Sequence, residues 1–240
     1  MLVGAAAPAP DGLAAAGVTF ADVTPAATWD RPEALALLAG ARSSQLGLDP
    51  SRERLPATTR GRFEASSPPL LPVVLRPFGL RPHAIVPHGR LTGRTDDGID
   101  AGFVGVDEHR DPDALVAAAR DWLGQHRDER FFLLVQLPPG VDRASLVARV
   151  HELGLAPTTL IVAADAPWAA PWSQARGALA RPAHGALVIS LPGELPPGAR
   201  RATPVETIDV APTVLALEGL AAPAPGSSCS IRLAPPIWMR

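Results

Sequence analysis

The stretch Thr207-Ile208-Asp209-Val210-Ala211-Pro212-Thr213-Val214-Leu215, followed by Ala216-Leu217-Glu218-Gly219, decides how the rest of the chain is read. Asp209 is a helix-capping residue type placed ahead of a strongly apolar run. Pro212 is tolerable in a first turn, where its missing N–H has no intrahelical partner to lose. Gly219 is a stop of the kind that accepts a left-handed backbone. The spacing therefore predicts a helix from Val210 to Glu218, too apolar to sit anywhere but against a core.

Working outward, two more helices carry stated ends. Asp111-Pro112 is an N-cap with Pro in the first turn, and Leu115, Val116, Ala119, Trp122 and Leu123 then fall on one helical face. Asp142 is the expected cap of another, with Leu146, Val147, Val150 and Leu153 inward and Gly154 as its stop. Short apolar runs lie between: Ala84 to Val86, Phe131 to Leu137, Leu160 to Ala163 and Ala186 to Leu191. Such runs suit strands buried on both faces. Their alternation with amphipathic helices argues for an α/β sandwich with a largely parallel sheet. Pro-rich stretches at Ser66–Pro82, Pro167–Pro182 and Pro192–Pro204 read as loops, with a short broken helix expected within Leu70–Phe78.

Composition narrows the function classes. The chain has 240 residues, 47% hydrophobic and 19% charged, which suits a folded domain with a sizeable core. Its net charge of −2 supplies no basic footprint for nucleic acid. All 22 basic residues are Arg, and Lys, Asn and Tyr are absent, which reads as codon bias. A single cysteine, Cys229, excludes an internal disulfide and a multi-cysteine zinc site. No apolar run approaches the roughly 18–20 residues of a membrane span. Met1 to Gly17 lacks basic residues and carries Pro8, Pro10 and Asp11, unlike an export signal. If the chain begins at Met1, the expectation is a cytoplasmic protein.

Two segments resemble the sulfatase branch of the alkaline phosphatase superfamily. The first is Pro10-Asp11-Gly12-Leu13-Ala14-Ala15-Ala16-Gly17-Val18-Thr19-Phe20, continuing through Trp29 to Gly40. It is similar to the family's P-N-L-D-x-L-A-x-x-G-V-x-F segment and the nucleophile helix after it. The second is the opening stretch in its wider setting, Pro192-Gly193 to Pro223. It resembles the family's P-G segment followed by D-x-A-P-T-x-L. Gly102-Phe103, Trp122-Leu123 and Arg130-Phe131-Phe132-Leu133 keep the family's order between them. The resemblance covers residues 8–228 and implies one sulfatase-like domain over 1–240, with 229–240 as a C-terminal tail. It implies a three-layer α/β/α sandwich, and hydrolysis of sulfate or phosphate esters with a divalent cation and an oxidised Cys or Ser that opens a helix. A metal and a helix N-terminus together would stabilise the anion there.

Matched to that pattern, the nucleophile position falls on Asp30, in Asp30-Arg31-Pro32-Glu33-Ala34. The family's Pro is kept as Pro32, while its Ser and Arg are replaced by Glu33 and Ala34. A carboxylate cannot become the aldehyde hydrate that sulfatases use, and it repels an anionic ester. Asp30 with Glu33 instead reads as a capping box. The family's paired metal carboxylates on the first strand have no counterpart in Met1 to Ala7. Of the later pair, Asp165 survives beside Ala166 as the sole matched ligand position, which a cap role fits better. No histidine stands in Leu134–Gly140, and Leu46 stands where another family histidine is expected. The first strand of the family lies centrally, so its absence predicts a rearranged sheet, a protein partner covering an exposed edge, or poor solubility.

Other groups read as structural. His83 and His88, with Asp96, Asp97 and Asp100 downstream, lack a ligand spacing and read as loop histidines. Asp107-Glu108-His109 reads as an exposed turn, His184 as a strand edge, and Trp168 and Trp172 as a hydrophobic cluster under a loop. Ser66, Ser67, Ser227 and Ser228 lack a nucleophile elbow, and Cys229 lacks the Pro and Arg of a sulfatase signature. The reading is a sulfatase-like α/β protein that is catalytically inactive, with a scaffold or binding role and no cofactor. Its rival is an active metal-dependent sulfuric or phosphoric ester hydrolase, using calcium or magnesium held by Asp22, Asp96 or Asp97.

Overall fold

The computed structural model describes residues 2–4, 12–27, 30–42, 44–46, 69–89, 91, 98–138, 141, 143–165 and 185–220. The strands are β1 (Leu2–Gly4), β2 (Val18–Thr24), β3 (Arg81–Pro87), β4 (Gly105–His109), β5 (Phe131–Leu137), β6 (Ile161–Asp165), β7 (Gly185–Ser190), β8 (Ala199–Arg201) and β9 (Val205–Glu206). The helices are α1 (Leu13–Ala16), α2 (Asp30–Ala39), α3 (Leu71–Leu75), α4 (Pro112–Gln125), α5 (Ala144–Glu152) and α6 (Val210–Leu217).

All the strands join one sheet in the order β4-β3-β5-β1-β6-β7-β2-β8, with β9 pairing with β2 beyond that path. Only β7 runs against its neighbours among the described pairs; the others are parallel. The pleat sends alternate side chains to opposite faces, and β5 shows the consequence. Phe132 and Leu134 enter one core with α2, α3 and α6, whereas Leu133, Val135 and Leu137 enter a second core with α4 and α5. Both faces are covered, so the sheet is the middle of an α/β/α sandwich, as expected. Charged residues mark the two edge strands, Asp107 and Glu108 on β4 and Arg200 and Arg201 on β8, a composition that discourages edge-to-edge pairing.

Several expectations need correction. The sheet does not lack a first strand: β1 lies at its centre, with Leu2 opposite Val135 of β5 and Ala163 of β6. Its three residues carried no readable period. Asp107, Glu108 and His109 are strand β4 rather than a turn, and His83 is a buried residue of β3 rather than a loop histidine. The Pro192–Pro204 stretch contains β8. Helix α5 starts at Ala144 from Arg143, which makes no side-chain cap; Asp142 lies outside the described residues. The broken helix within Leu70–Phe78 is present as α3 and a 3-10 turn over Arg76–Phe78.

Asp111 caps α4 as its residue type predicts, accepting from the N–H groups of Asp113 at 3.3 Å and Ala114 at 3.2 Å. Asp209 does not cap α6 in that manner. A 3-10 turn over Thr207–Asp209 precedes the helix, and the Asp209 carboxylate turns back to accept from Glu206 N–H at 2.9 Å. Two glycines set how closely elements approach. At Gly17 a Cβ would collide with the Ile189 carbonyl of β7, and at Gly40 (φ +62°) a Cβ would stand 2.9 Å from Pro212 Cδ. Gly40 thus lets α2 lie directly on the turn that begins α6.

Candidate functional site

Helix α2 and the Thr207–Asp209 turn meet through polar groups. Glu33, in the first turn of α2, is fully buried at 0% exposure. Its position is dictated by helical spacing: Glu33 shares a face with Ala36, Leu37 and Gly40, the face that packs inward. Its Oε2 accepts a hydrogen bond from Ala27 N–H at 2.7 Å. One residue earlier, Ala26 N–H donates to Thr207 Oγ1 at 3.1 Å, and Thr207 is itself fully buried. The chain between β2 and α2 is therefore stapled to α2 by Glu33 and to the α6 turn by Thr207.

Electrostatics at this junction favour protons. Burial pushes the Glu33 carboxyl from 4.5 up to about 7, because an ionised carboxylate there loses its water. Thr207 and the Ala27 and Ala26 amides pull partly the other way, and the nearby Glu206 charge adds to the rise. Glu33 Oε1 is buried with no hydrogen-bond partner among the described residues. Asp209 is raised from 3.8 to about 6, first by burial, with its bond from Glu206 N–H opposing and the Glu206 charge reinforcing. Arg42 lowers it and also pairs with Glu206 at the exposed rim. Enclosed as it is, Glu33 holds or releases a proton without touching a solute.

Glu33 does not make the bond to the Asp30 N–H that a capping box of Asp30 and Glu33 requires. Its carboxyl reaches past Asp30 to Ala27. Asp30 is the first residue of α2, and its side chain is not among those described. Asp165 closes β6, opposite Gly4 at the end of β1 and Ala186 on β7; its side chain is likewise not described. The structure thus puts the two positions at a helix start and a strand end. Asp22 lies on β2, while Asp96, Asp97, His184, Cys229, Trp168, Trp172 and the serine pairs at 66–67 and 227–228 lie outside the described residues.

His83 and His88 have protein partners. His83 Nε2 is 3.0 Å from Asp107 Oδ2, and its ring stacks on Trp122 at 5.1 Å between centroids. His88 Nδ1 is 3.3 Å from Glu108 Oε2. These pairs tie β3 and the residue after it to the edge strand β4. Sequence reasoning missed the buried cluster of Glu33, Thr207, Glu206 and Asp209. Its available signal was a glutamate on the apolar stripe of α2, where a charge is costly.

No protein-family model matches the chain, and no curated protein matches it in sequence. Solved structures do match. The chain is similar to PsFucS1 sulfatase from Pseudoalteromonas sp., with a TM-score of 0.66 and 14% identity over 91% of this chain and 67% of that one. It is similar to a protein in the alkaline phosphatase superfamily from Vibrio parahaemolyticus, with a TM-score of 0.66 and 13% identity over 93% and 66%.

The fold is sulfatase-like, the one these sulfatase and alkaline phosphatase-superfamily structures share.

A phosphonate monoester hydrolase, SpPMH from Silicibacter pomeroyi, also matches with a TM-score of 0.62 and 13% identity, over 87% of this chain and 67% of that one. The chain spans about two thirds of these three structures. Identities this low establish a shared sulfatase-like backbone path and leave the chemistry to the residues themselves. A sulfatase-like fold brings with it the expectation of a divalent cation, and the described donors do not fit one. Strand β1 ends in Gly4, which has no side chain, leaving Asp165 as the one acidic position at the paired ends of β1 and β6. A hard cation such as calcium takes about six to eight oxygen ligands. Among the described residues no three His, Cys, Asp or Glu side chains form a metal-holding group.

Proposed function

We propose that this sulfatase-like protein does not turn over esters and serves as a scaffold or binding module. The observation that carries this reading is the pairing of Asp165, at the end of β6, with Gly4 at the end of β1. The resemblance expects metal carboxylates at the end of this first strand, and Gly4 has no side chain to supply one. With Asp30, Glu33 and Ala34 where the resemblance has its oxidised nucleophile, Ser and Arg, the helix start also lacks the nucleophile chemistry.

The test is hydrolysis of aryl sulfates and aryl phosphates by the full chain, with calcium, magnesium or manganese added. The expected result is no turnover above a denatured control. Metal-dependent turnover that disappears in Asp30→Ala would overturn the reading in favour of a metal-dependent ester hydrolase.

A further inference from the structure

The connection from β2 to α2 is held by two bonds that end on fully buried side chains. Ala26 N–H donates to Thr207 Oγ1 at 3.1 Å, and Ala27 N–H donates to Glu33 Oε2 at 2.7 Å. Val23, just ahead of it, lies opposite Gly185 of β7 and Val205 of β9. The connection thus runs from the end of a strand, past the turn that begins α6, to the start of α2 at Asp30.

The same junction holds acceptors that lack donors. Glu33 Oε1, Glu206 Oε2 and Asp209 Oδ1 are buried with no hydrogen-bond partner among the described residues. The Glu206 charge acts on both of the other carboxyls. Buried acceptors without donors are costly, and carboxylates that share a buried junction resist joint ionisation. A proton supplies the missing O–H donor and removes the charge at once. The charged surroundings are few. Glu206 and Asp209 face Glu33 from the α6 turn, and Arg42, beyond the end of α2, pairs with Glu206 at the rim and offsets Asp209. Helices α3 and α6, which pack on α2, contain no ionisable residue. The side chains of Asp30 and Arg31 on α2 itself are not among those described.

We propose that Glu33 is a proton-operated latch: protonated, it holds the β2–α2 connection against the α6 turn, and ionised, it promotes a local opening of that connection while the sheet stays folded. The closed form keeps the carboxyl at about 7, and the hydrated open form returns it toward 4.5. The closed form therefore binds the proton more tightly. Its advantage is complete below about pH 4.5 and is lost as the pH rises through about 7. From pH 5 to pH 8 the opening equilibrium is expected to shift about fiftyfold toward the open form. The opening is local because two side-chain bonds hold the connection, whereas strand β5 is laddered on both sides and buried between two cores. The inference stands whether or not the chain hydrolyses an ester.

The test is native-state amide exchange of the full chain by NMR, at pH 5 and pH 8, without urea and in low urea. Each rate is divided by its intrinsic value at that pH. The Ala26 and Ala27 amides are expected to lose about fiftyfold in protection from pH 5 to pH 8. Low urea is expected to leave their exchange unchanged, while it accelerates the slower exchange of Leu134 and Val135 on β5. Glu33→Gln is expected to flatten the pH dependence at Ala26 and Ala27, and Asp209→Asn is expected to retain it. The proposal is overturned if those two amides exchange only with the urea-sensitive unfolding of β5, or if their wild-type protection is equal at both pH values. It is also overturned if Glu33→Gln keeps the dependence or Asp209→Asn abolishes it. The first two outcomes are read from wild type alone, so a Gln variant that fails to fold leaves the proposal open to refutation.

Discussion

Replacing Glu33 by Gln keeps the side-chain shape and the oxygen that accepts from Ala27 N–H, and it removes the proton equilibrium. In the folded chain the carboxyl is held at about 7 against an ordinary 4.5, so the folded state binds the proton more tightly than the unfolded chain. The stability this supplies is complete below about pH 4.5 and is lost as the pH rises through about 7. The gap between those values is worth about 3 kcal/mol for a group with no solvent access. Urea denaturation of wild type and Glu33→Gln at pH 5 and pH 9 measures it. The two proteins are expected to be similarly stable at pH 5, where the wild-type carboxyl is mostly protonated. At pH 9 the Gln variant is expected to be more stable by about 3 kcal/mol. The groups grouped with Glu33 at this junction, Glu206, Asp209 and Arg42, are common to both proteins, so their own titrations largely cancel in the difference. A wild-type-to-variant difference that is the same at both pH values, or that favours wild type at pH 9, refutes the argument that desolvation governs Glu33.

Thr207→Val removes the acceptor for Ala26 N–H and is expected to cost about 1–3 kcal/mol in urea denaturation at pH 5. It also withdraws a group that favours ionised Glu33, so its loss of stability toward pH 9 is expected to be steeper than in wild type. Asp111→Ala removes the α4 cap, with an expected loss of about 0.5–2 kcal/mol in the same assay; a neutral result would show that the two cap bonds are dispensable. Gly17→Ala drives a methyl into the Ile189 carbonyl, and a loss of about 1–3 kcal/mol or more is expected, read as a lower denaturation midpoint.

Much of the architecture was legible because burial leaves a compositional trace. Strand β5 is buried on both faces, and its run Phe131–Leu137 has the bounds read from its apolar residues. Helix α4 follows Asp111-Pro112 because a carboxylate cap and a proline each suit a helix start. The edge strands left no such trace. Charges on β4 and β8 keep edges from pairing with other chains, and those same charges disguise them as turns and loops. Strand β1 is three residues long, too short for any period to show.

The candidate site divides in the same way. The start of α2 at Asp30 and the position of Asp165 beside an apolar run were readable from matched order along the chain. Spacing alone linked Asp30 to Glu33, yet Glu33 bonds to Ala27 and lies against a turn some 170 residues further on.

The amino-acid sequence by itself determined which segments are buried, where the main helices start and stop, and that a sulfatase-like order runs through the chain. These are local properties, set by residue type and spacing. Only the tertiary structure decided that β1 lies at the sheet's centre and that Glu33 is sealed away from water. Each of these depends on contacts between residues far apart in the chain, where desolvation and strand register are settled by what packs alongside.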